Sequence, residues 1–324
     1  MTALSDRPTI FVATRLAPTL TAALEQRYDI LGTMGKPFDE AVANLAPADA
    51  NRVRAVVTMG TVGCNRGVMN ALPSLGMICC LGSGYEGVEL DAAGERGIVV
   101  AHSPGANASS VADLAIGLLI ASVRRMVSAN AYLLSGDWER RGRRNFEGRG
   151  LTGRRLGIYG LGSIGLKIAA RAAALEMEVG YFNRRARTDV AYAYHPSLLA
   201  LATWADVLMI AVRADAGNRH SVDAAVLKAL GPDGHVVNIA RGAVIDEQAL
   251  IDALRDGTIA GAGLDVYEFE PAVPEALRQL PHLALTPHIG GETYEARAAM
   301  GEMVLANLDA FFAGRAVPSQ VPAI

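Results

Sequence analysis

The sequence predicts an α/β protein with two domains, each a doubly wound parallel sheet covered by helices. The length of 324 residues exceeds what one typical domain contains. Short β-rich runs alternate with helical segments along the chain, as in parallel sheets. After an Arg-rich stretch near residue 150 this alternation restarts with its own first strand and glycine turn. Hydrophobic residues make up 51% and charged residues 19% of the chain, which is typical of a folded globular protein.

Elements of the first part of the chain follow from apolar runs and from the helical segments between them. Segments such as 18–27 are amphipathic and predict covering helices. One long apolar helix is predicted from about Ser109 to Leu134. Its most apolar part, Leu114–Val123, is too short to span a bilayer. The predicted strands are TIFVAT (9–14), AVVTMG (55–60), MICCLG (77–82) and GIVVAH (97–102).

The second part of the chain repeats the strand and helix pattern. Segment 292–314 predicts a single amphipathic helix that returns the chain to the first domain. We therefore expect one domain of residues 1–103 and 291–324, and a second domain of residues 104–290. The predicted strands are RLGIYG (155–160), EVGYFN (178–183), DVLMIAV (206–212), HVVNIA (235–240), AGAGLDV (260–266) and LALTPH (283–288).

Composition argues against several classes of function. The net charge of −3 gives no overall attraction to nucleic acid, although an Arg-rich stretch keeps nucleic-acid binding as a rival interpretation. The three cysteines lack metal-ligand spacing and are expected in the core, and no metal site is predicted. The first residues lack a secretory signal pattern, so a cytoplasmic location with no membrane association is expected. The Arg-rich stretch comprises Arg140, Arg141, Arg143, Arg144, Arg149, Arg154 and Arg155.

The segment GIYGLGSIG contains a G-x-G-x-x-G pattern between an apolar strand and a helical run. In that context the first glycine permits a tight turn, the second lets backbone approach a pyrophosphate, and the third lets the helix pack on the strand. The segment therefore predicts a dinucleotide site. The predicted residues are Gly160, Leu161, Gly162, Ser163, Ile164 and Gly165.

The segment YFNRR stands where a dinucleotide-binding unit usually places an acidic residue for the ribose 2′-hydroxyl. A carboxylate there would repel a 2′-phosphate, whereas Asn183 is neutral. Arg184 and Arg185 can make charge-assisted hydrogen bonds to the phosphate. The pattern predicts NADPH (NADP) as cofactor, with two solvated surface arginines as the alternative.

Four segments in order resemble landmarks of one enzyme family: GLGSIG, VVNIARGAVIDEQAL, GAGLDVYEFEP and LALTPHIGGET. They resemble the D-isomer-specific 2-hydroxyacid dehydrogenases, particularly the glyoxylate/hydroxypyruvate reductase branch, over nearly the whole chain. The resemblance implies a Rossmann cofactor domain inserted into a flavodoxin-like substrate domain. It also implies a homodimer and a small 2-keto acid as substrate.

The chemistry of 2-keto acid reduction needs a cation for the carboxylate, a proton donor for the ketone oxygen and a group that orients the donor. Arg241, His288 and Glu270 can supply these roles, each at or just beyond the end of a predicted strand. By resemblance, Arg241 binds substrate, Glu270 orients His288, and His288 is the acid-base. Asp265 matches the family position near the nicotinamide amide. Further cofactor contacts are expected from Ala240 and Gly290.

The resemblance also predicts a substrate loop in CLGSGYEGVEL, with the backbone N–H groups of Leu81, Gly82 and Ser83 facing the carboxylate and with Tyr85 beside them. A plain tight turn is the competing view. The other histidines are expected to be structural or at the surface, and Arg213 is expected to be solvated rather than a phosphate contact. These histidines are His102, His195, His220, His235 and His282.

The choice of substrate is open at the sequence level. In the family branch, an aromatic residue after the long helix closes the partner's substrate pocket. SGDWERRGRR keeps Trp138 but has Arg141 near a second aromatic position. A guanidinium with five donors suits a polyhydroxylated chain, so 2-ketogluconate stands as an alternative to glyoxylate and hydroxypyruvate. A non-catalytic dinucleotide sensor, as in related corepressors, is the remote alternative.

Overall fold

Two parallel sheets organise the residues that the structure, a computed structural model, describes: 7–33, 35–281 and 283–322. The chain divides into two units. The first unit comprises Met1–Asn107 and Glu292–Ile324, and the second comprises Ala108–Gly291. Each sheet belongs to one unit.

The first unit contains a five-stranded parallel sheet with the strand order β2-β1-β3-β4-β5. β4 is apolar and fully buried, and β3 is buried except at Arg54, because helices cover both faces. The strands are β1 (Thr9–Val12), β2 (Asp29–Gly32), β3 (Val53–Thr58), β4 (Met77–Cys80) and β5 (Val99–Ala101). The helices are α1 (Pro18–Glu25), α2 (Phe38–Ala43), α3 (Pro47–Ala50), α4 (Arg66–Ala71), α5 (Leu90–Glu95) and, at the end of the chain, α14 (Tyr294–Phe312).

The second unit contains a seven-stranded parallel sheet with the order β12-β11-β10-β9-β6-β7-β8. The strands are β6 (Arg155–Tyr159), β7 (Glu178–Phe182), β8 (Ala193–Tyr194), β9 (Val207–Ile210), β10 (His235–Asn238), β11 (Gly261–Leu264) and β12 (Leu283–Leu285). The helices are α6 (Ala108–Val123), α7 (Met126–Leu134), α8 (Asp137–Arg141), α9 (Ser163–Ala174), α10 (Leu198–Trp204), α11 (Ala224–Leu230), α12 (Glu247–Arg255) and α13 (Glu275–Gln279).

The strand orders confirm the predicted fold class. The first sheet has the flavodoxin-like order 2-1-3-4-5. Counted within its own unit, the second sheet has the Rossmann order 3-2-1-4-5-6 with one further strand at the β12 edge. Its order reverses between β6 and β9. In such sheets ligands bind beyond the carboxyl ends of the strands at this point, which directs attention to the loops after β6, β7, β9, β10, β11 and β12.

The predicted long helix from Ser109 to Leu134 is wrong in one respect. α6 ends at Val123 and α7 begins at Met126, because Arg125 takes a left-handed conformation with φ 53°. The first two residues of the Arg-rich stretch, Arg140 and Arg141, lie in the short helix α8. The edge strands β2 and β8 lie outside the predicted strands.

The last helix follows its predicted pattern. Val304 and Leu308 of α14 are fully buried against Ile10 and Val57 of the first sheet. Among the described helices, none combines the length and apolar character that a bilayer-spanning segment requires.

The three cysteines are free thiols in the core of the first unit, as expected. Burial raises the pKa of Cys64, Cys79 and Cys80, so each thiol stays protonated at neutral pH.

Candidate active site

The glycine turn between β6 and α9 leaves room for an anion. A Cβ on Gly160, whose φ is 102°, would lie 2.5 Å from the Val212 Cα. A Cβ on Gly165 would lie 2.3 Å from the Gly160 carbonyl oxygen, so α9 packs this closely only because the residue is glycine. A Cβ on Gly162 would meet open space beside the first N–H groups of α9, which lack partners within the helix. The pyrophosphate of a dinucleotide fits this arrangement.

The other three residues of the glycine segment divide between core and surface. Leu161 is 1% exposed and packs in the core of the second unit. Ser163 is exposed and Ile164 is half-buried, and both lie in the first turn of α9. Ser163 and Ile164 therefore bring backbone N–H groups to the helix N-terminus.

Asn183 follows β7 and contacts the glycine turn. Its Oδ1 accepts a hydrogen bond from the Leu161 N–H at 2.7 Å, which leaves its amide NH₂ as the donor group it can offer. Arg184 and Arg185 follow and are exposed. The Arg184 side chain is 89% exposed, and its Nη1 lies 3.3 Å from Asp215 Oδ2. The end of β7 thus carries a neutral amide and two accessible guanidinium groups.

A third arginine of the same loop, Arg187, was missed by the sequence analysis. Its Nη1 donates to the Leu161 carbonyl oxygen at 3.0 Å. Its Nε and Nη2 donate to the two carboxylate oxygens of Asp189 at 3.0 and 2.5 Å. The signal that could have identified it is the third basic residue of NRRAR, but the contact with Leu161 cannot be inferred from spacing alone.

His288 and Glu270 form a hydrogen-bonded pair beyond the carboxyl ends of β12 and β11. His288 Nδ1 lies 2.7 Å from Glu270 Oε2. Because a carboxylate accepts, Nδ1 carries the proton of this bond and Nε2 is left for another partner. The pair is half-buried, with 35% of the His288 side chain and 27% of the Glu270 side chain exposed.

The environment of Glu270 keeps it charged. Burial alone would raise the pKa of its carboxyl. The hydrogen bond and charge of His288, the N–H of Tyr267 at 3.1 Å and the charge of Arg241 together outweigh burial, and the net pKa of Glu270 is lowered. A carboxylate at neutral pH therefore faces the imidazole.

Asp265 organises the loop that carries His288. Its carboxylate is 2% exposed and accepts hydrogen bonds from the Thr286 hydroxyl at 2.6 Å, the Ile289 N–H at 2.8 Å and the Gly290 N–H at 2.9 Å. Its backbone carbonyl accepts from the His288 N–H at 2.8 Å. Asp265 thus fixes the direction in which His288 leaves β12. The interaction expected with a nicotinamide amide is not needed to explain why this carboxylate is buried.

Arg241 follows β10 and begins a tight turn over Gly242–Val244. A Cβ on Gly242 would lie 1.9 Å from the Tyr267 carbonyl carbon, so this turn packs directly on the backbone of the loop that leads to Glu270. The buried Asn238, also missed from sequence, donates to the Arg241 carbonyl at 3.0 Å and accepts from the Ala240 N–H at 3.0 Å. Arg241 Nη1 donates to the Ala240 carbonyl at 2.6 Å.

A second imidazole–carboxylate pair stands beside this turn. His220 Nε2 lies 2.8 Å from Glu268 Oε1, and Arg219 Nη2 lies 2.5 Å from the same oxygen. The His220 N–H donates to the Ala243 carbonyl at 2.8 Å. These contacts join the loops after β9, β10 and β11, so His220 has a definite structural partner.

The predicted substrate loop follows β4 in the first unit. The Leu81 N–H donates to the Thr58 carbonyl at 2.7 Å, so it is already engaged, contrary to the expected cradle of three N–H groups. Gly82 has a φ of 109°. The Ser83 hydroxyl donates to Asn107 Oδ1 at 3.0 Å.

His102 and Tyr85 support this loop. His102 Nδ1 lies 3.0 Å from the Ser83 carbonyl oxygen. The Tyr85 ring packs edge-on against His102 with 5.0 Å between ring centroids, and Tyr85 is only 8% exposed. The Tyr85 side chain is therefore largely part of the core.

The segment of α8 presents its charged residues to solvent. Arg141 is 73% exposed, and its Nε lies 3.4 Å from Asp137 Oδ1. Arg140 Nη2 donates to the same oxygen at 2.7 Å. Trp138 is 57% exposed. Further along the Arg-rich stretch, Arg149 pairs with Asp233 and Arg155 with Asp206, which accounts for part of its charge.

The remaining histidines have separate surroundings. His195 packs on the Trp204 ring at 4.8 Å, and His235 Nδ1 lies 2.9 Å from the Ser122 hydroxyl. His282 lies outside the described residues. Within the part of the chain that the structure describes, no group of three or more His, Cys, Asp or Glu side chains has the geometry of a metal site.

The chain is similar to known proteins over the candidate site and beyond it. Residues 116–290 match the model of the D-isomer specific 2-hydroxyacid dehydrogenase family, NAD binding domain. A glyoxylate/hydroxypyruvate reductase A of Arabidopsis thaliana is 39% identical over 92% of this chain and 94% of the relative. A 2-ketogluconate reductase of Gluconobacter oxydans is 38% identical over 98% of this chain and 100% of the relative.

A solved structure matches both units of the chain. It is an NADPH-dependent glyoxylate/hydroxypyruvate reductase of Sinorhizobium meliloti in complex with NADP and malonate. It superposes with a TM-score of 0.91 at 37% identity, and the match covers 98% of each chain.

Proposed function

The chain belongs to the D-isomer specific 2-hydroxyacid dehydrogenase family, and from this premise we propose that it is an NADPH-dependent reductase of small 2-keto acids, chiefly glyoxylate and hydroxypyruvate. The products are D-2-hydroxy acids. The observation that carries the reaction is the Glu270–His288 pair, with 2.7 Å between carboxylate and imidazole beyond the carboxyl ends of β11 and β12. The Arabidopsis and Sinorhizobium relatives support the choice of substrates.

The residues present fit NADPH. Open space beside Gly162 at the N-terminus of α9 suits the pyrophosphate. The Asn183 amide and the exposed Arg184 and Arg185 suit a 2′-phosphate. We propose that the nicotinamide end binds at the loops after β10, β11 and β12. These loops contain Ala240, Asp265 and Gly290. The cofactor supplies the hydride when it is bound.

His288 is the proposed proton donor. Its Nδ1 is held by Glu270, so Nε2 delivers a proton to the carbonyl oxygen of the substrate while hydride reaches the carbonyl carbon. Glu270 stays ionised and stabilises the imidazolium, and once His288 has given up its proton the neutral imidazole takes up another from solvent. Arg241 binds the carboxylate and polarises the carbonyl. In the first unit, the Gly82 and Ser83 N–H groups are the proposed backbone donors to the carboxylate.

The test is an NADPH-oxidation assay with glyoxylate, hydroxypyruvate and 2-ketogluconate side by side. We expect turnover with at least one of the first two acids. Lack of turnover with every 2-keto acid, together with tight NADPH binding, would instead favour the dinucleotide-sensor alternative.

A second candidate substrate is 2-ketogluconate. Arg141 offers a guanidinium with five donors, which suits a polyhydroxylated acid, and its side chain is 73% exposed. The Gluconobacter relative supports this candidate. Arg141→Ala would selectively lower activity on the six-carbon acid, with the exposed Arg143→Ala as the matched control. Equal activity of wild type and Arg141→Ala on all three acids would show that Arg141 does not bind substrate.

We further propose that the chain forms a homodimer through α7 and α8. None of the residues of α7 is buried, although the helix is apolar. Four of its apolar residues are each about half exposed or more: Met126, Val127, Leu133 and Leu134. A second copy would cover this apolar face. The three free, buried cysteines accord with the expected cytoplasmic location, where thiols stay reduced.

A further inference from the structure

Leu161 is held at both of its backbone polar groups by the loop after β7. Leu161 stands between Gly160, with its left-handed backbone, and Gly162, whose missing side chain leaves open space. A residue flanked by two glycines has much backbone freedom to lose. Its N–H donates to Asn183 Oδ1 at 2.7 Å, and its carbonyl oxygen accepts from Arg187 Nη1 at 3.0 Å. The loop after β7 therefore clamps the glycine turn at both ends of one residue.

The bond from Arg187 sets the direction of a backbone donor. In a trans peptide the C=O and the next N–H point in opposite directions. Because Arg187 holds the Leu161 carbonyl, the Gly162 N–H points away from Arg187. Rotation of this peptide would move that N–H, so the guanidinium fixes one donor of the glycine turn.

Arg187 is itself fixed and is unlike its neighbours. Its guanidinium is bound by both carboxylate oxygens of Asp189, and its N–H donates at 2.8 Å to the hydroxyl of Tyr181, which is 1% exposed. The Arg187 side chain is 28% exposed, against 89% for Arg184. The Asp189 carboxylate offsets its charge. Arg187 is therefore built to position the turn and offers little free charge to a phosphate.

We infer that Arg187 is a positioning residue that orients the Leu161–Gly162 peptide for the pyrophosphate of the cofactor. The inference rests on the proposed function in assuming a dinucleotide at the turn. It assigns two tasks within one loop: Arg184 and Arg185 read the 2′-phosphate, whereas Arg187 shapes the turn that both NADPH and NADH would use.

The experiment measures binding rather than turnover. Dissociation constants for NADPH, NADH and adenosine 2′-monophosphate are determined for wild type, Arg187→Ala, Arg185→Ala and the exposed control Thr188→Ala. Losing a charge-assisted bond that orients the turn should weaken NADPH and NADH by a common factor of about ten. Adenosine 2′-monophosphate lacks the pyrophosphate, so its affinity for Arg187→Ala should stay within twofold of wild type. Arg185→Ala should weaken binding of NADPH and adenosine 2′-monophosphate and leave NADH binding unchanged. Thr188→Ala should change none of the three dissociation constants.

Several outcomes would overturn the assignment. Weakening of NADPH alone would make Arg187 a phosphate reader, and unchanged binding of both dinucleotides would show that the clamp is irrelevant. A parallel loss of adenosine 2′-monophosphate would show that the whole loop collapses. Arg187→Gln keeps much of the side-chain stem and is judged by the same criteria if Arg187→Ala does not fold, while Arg187→Lys should restore part of the affinity. Failure of both loss variants to fold would make Arg187 a residue of stability only.

The same data separate this inference from the proposed cofactor choice. If the wild type prefers NADH, the proposed NADPH preference fails. The predicted equal loss of affinity for NADPH and NADH in Arg187→Ala can then still be measured.

Discussion

One hydrogen bond, from His288 Nδ1 to Glu270 Oε2, decides which ring nitrogen can deliver a proton. His288→Ala removes the proposed proton donor and should lower kcat by about a hundredfold or more, since general acid catalysis contributes on that scale. Binding of NADPH should be unchanged, because the substitution leaves the glycine turn intact. Glu270→Gln should lower kcat less, since it keeps a hydrogen-bond acceptor and loses the charge. Steady-state kinetics with saturating glyoxylate and an NADPH titration check both, and near-normal kcat in His288→Ala would remove the proposed acid.

At the residue scale, the proposed selection of NADPH depends on Arg184 and Arg185. Each charge-assisted hydrogen bond to a 2′-phosphate contributes about 1.5–3 kcal/mol, so either alanine variant should lower kcat/KM for NADPH at least about tenfold. NADH carries no 2′-phosphate, and its kcat/KM should hardly change. Arg278→Ala, at an exposed position of α13, is the matched control. Unchanged cofactor ratios in both loop variants would contradict the proposed NADPH selection.

Site residues could be predicted from the sequence where they stand at the end of a predicted strand. Asn183 directly follows β7 and His288 lies shortly after β12, so strand prediction alone puts both at one edge of the sheet. Arg187 and Asn238 could not be identified this way. Arg187 acts on Leu161, 26 residues earlier in the chain, and its contact depends on how the loop after β7 folds back.

Helix boundaries depended on contacts that the sequence does not reveal. The apolar run Leu114–Val123 predicted a buried helix, and α6 buries residues such as Leu118 and Leu119. The break after Val123 falls at two arginines, which favour helix. A Cβ on Gly148 would lie 2.6 Å from the Val123 carbonyl oxygen, so the returning chain occupies the place where α6 would continue. The end of α6 thus coincides with close packing of Gly148, 25 residues further along the chain, against Val123.

The contact between α6 and β10 includes a buried histidine that should make stability pH-dependent. His235 is 7% exposed and lies 2.9 Å from the Ser122 hydroxyl. Burial, with the positive charges of Arg154 and Arg125, lowers the pKa of His235 to about 4. An unfolded histidine takes up a proton near pH 6.5, so the unfolding free energy should fall as pH drops from there towards 4.

This histidine should contribute at most about 3 kcal/mol to that loss. Urea unfolding of wild type and His235→Gln between pH 4 and 7 measures it. The variant can keep a polar contact with Ser122 but does not titrate, so its stability should depend less on pH. Parallel curves for the two proteins would show that His235 does not cause the acid lability.

At the scale of the whole molecule, alternation of strands and helices was sufficient to predict both parallel sheets. Two edge strands, β2 and β8, were harder, because each lacks the apolar pattern that burial on two faces imposes. β2 is only half-buried throughout, and both residues of β8 are exposed. Each is defined by its pairing with a neighbouring strand, β2 with β1 and β8 with β7, which the sequence pattern does not reveal.

The exposed apolar residues of α7 and α8 bear on how the whole molecule assembles. Along α7 and α8, Leu133 is 52%, Leu134 77% and Trp138 57% exposed, and a monomer would leave this apolar surface in water. A dimer with twice the chain mass of 34.0 kDa is expected at micromolar concentration. Leu134→Glu places a charge in the proposed interface and should shift the population to monomer. Leu199→Glu, at an apolar position 49% exposed on α10, should stay dimeric.

Light scattering at several concentrations gives the masses, and the tryptophan emission, of which Trp138 supplies the part sensitive to the interface, should move to longer wavelength when the interface opens. Because the family resemblance implies that this segment closes the partner's substrate pocket, monomeric Leu134→Glu should also have a raised KM for glyoxylate. NADPH affinity should be retained, since the glycine turn and the loop after β7 are unaltered. A monomeric wild type, or a Leu134→Glu variant with wild-type mass and KM, would show that the apolar face of α7 and α8 serves another purpose.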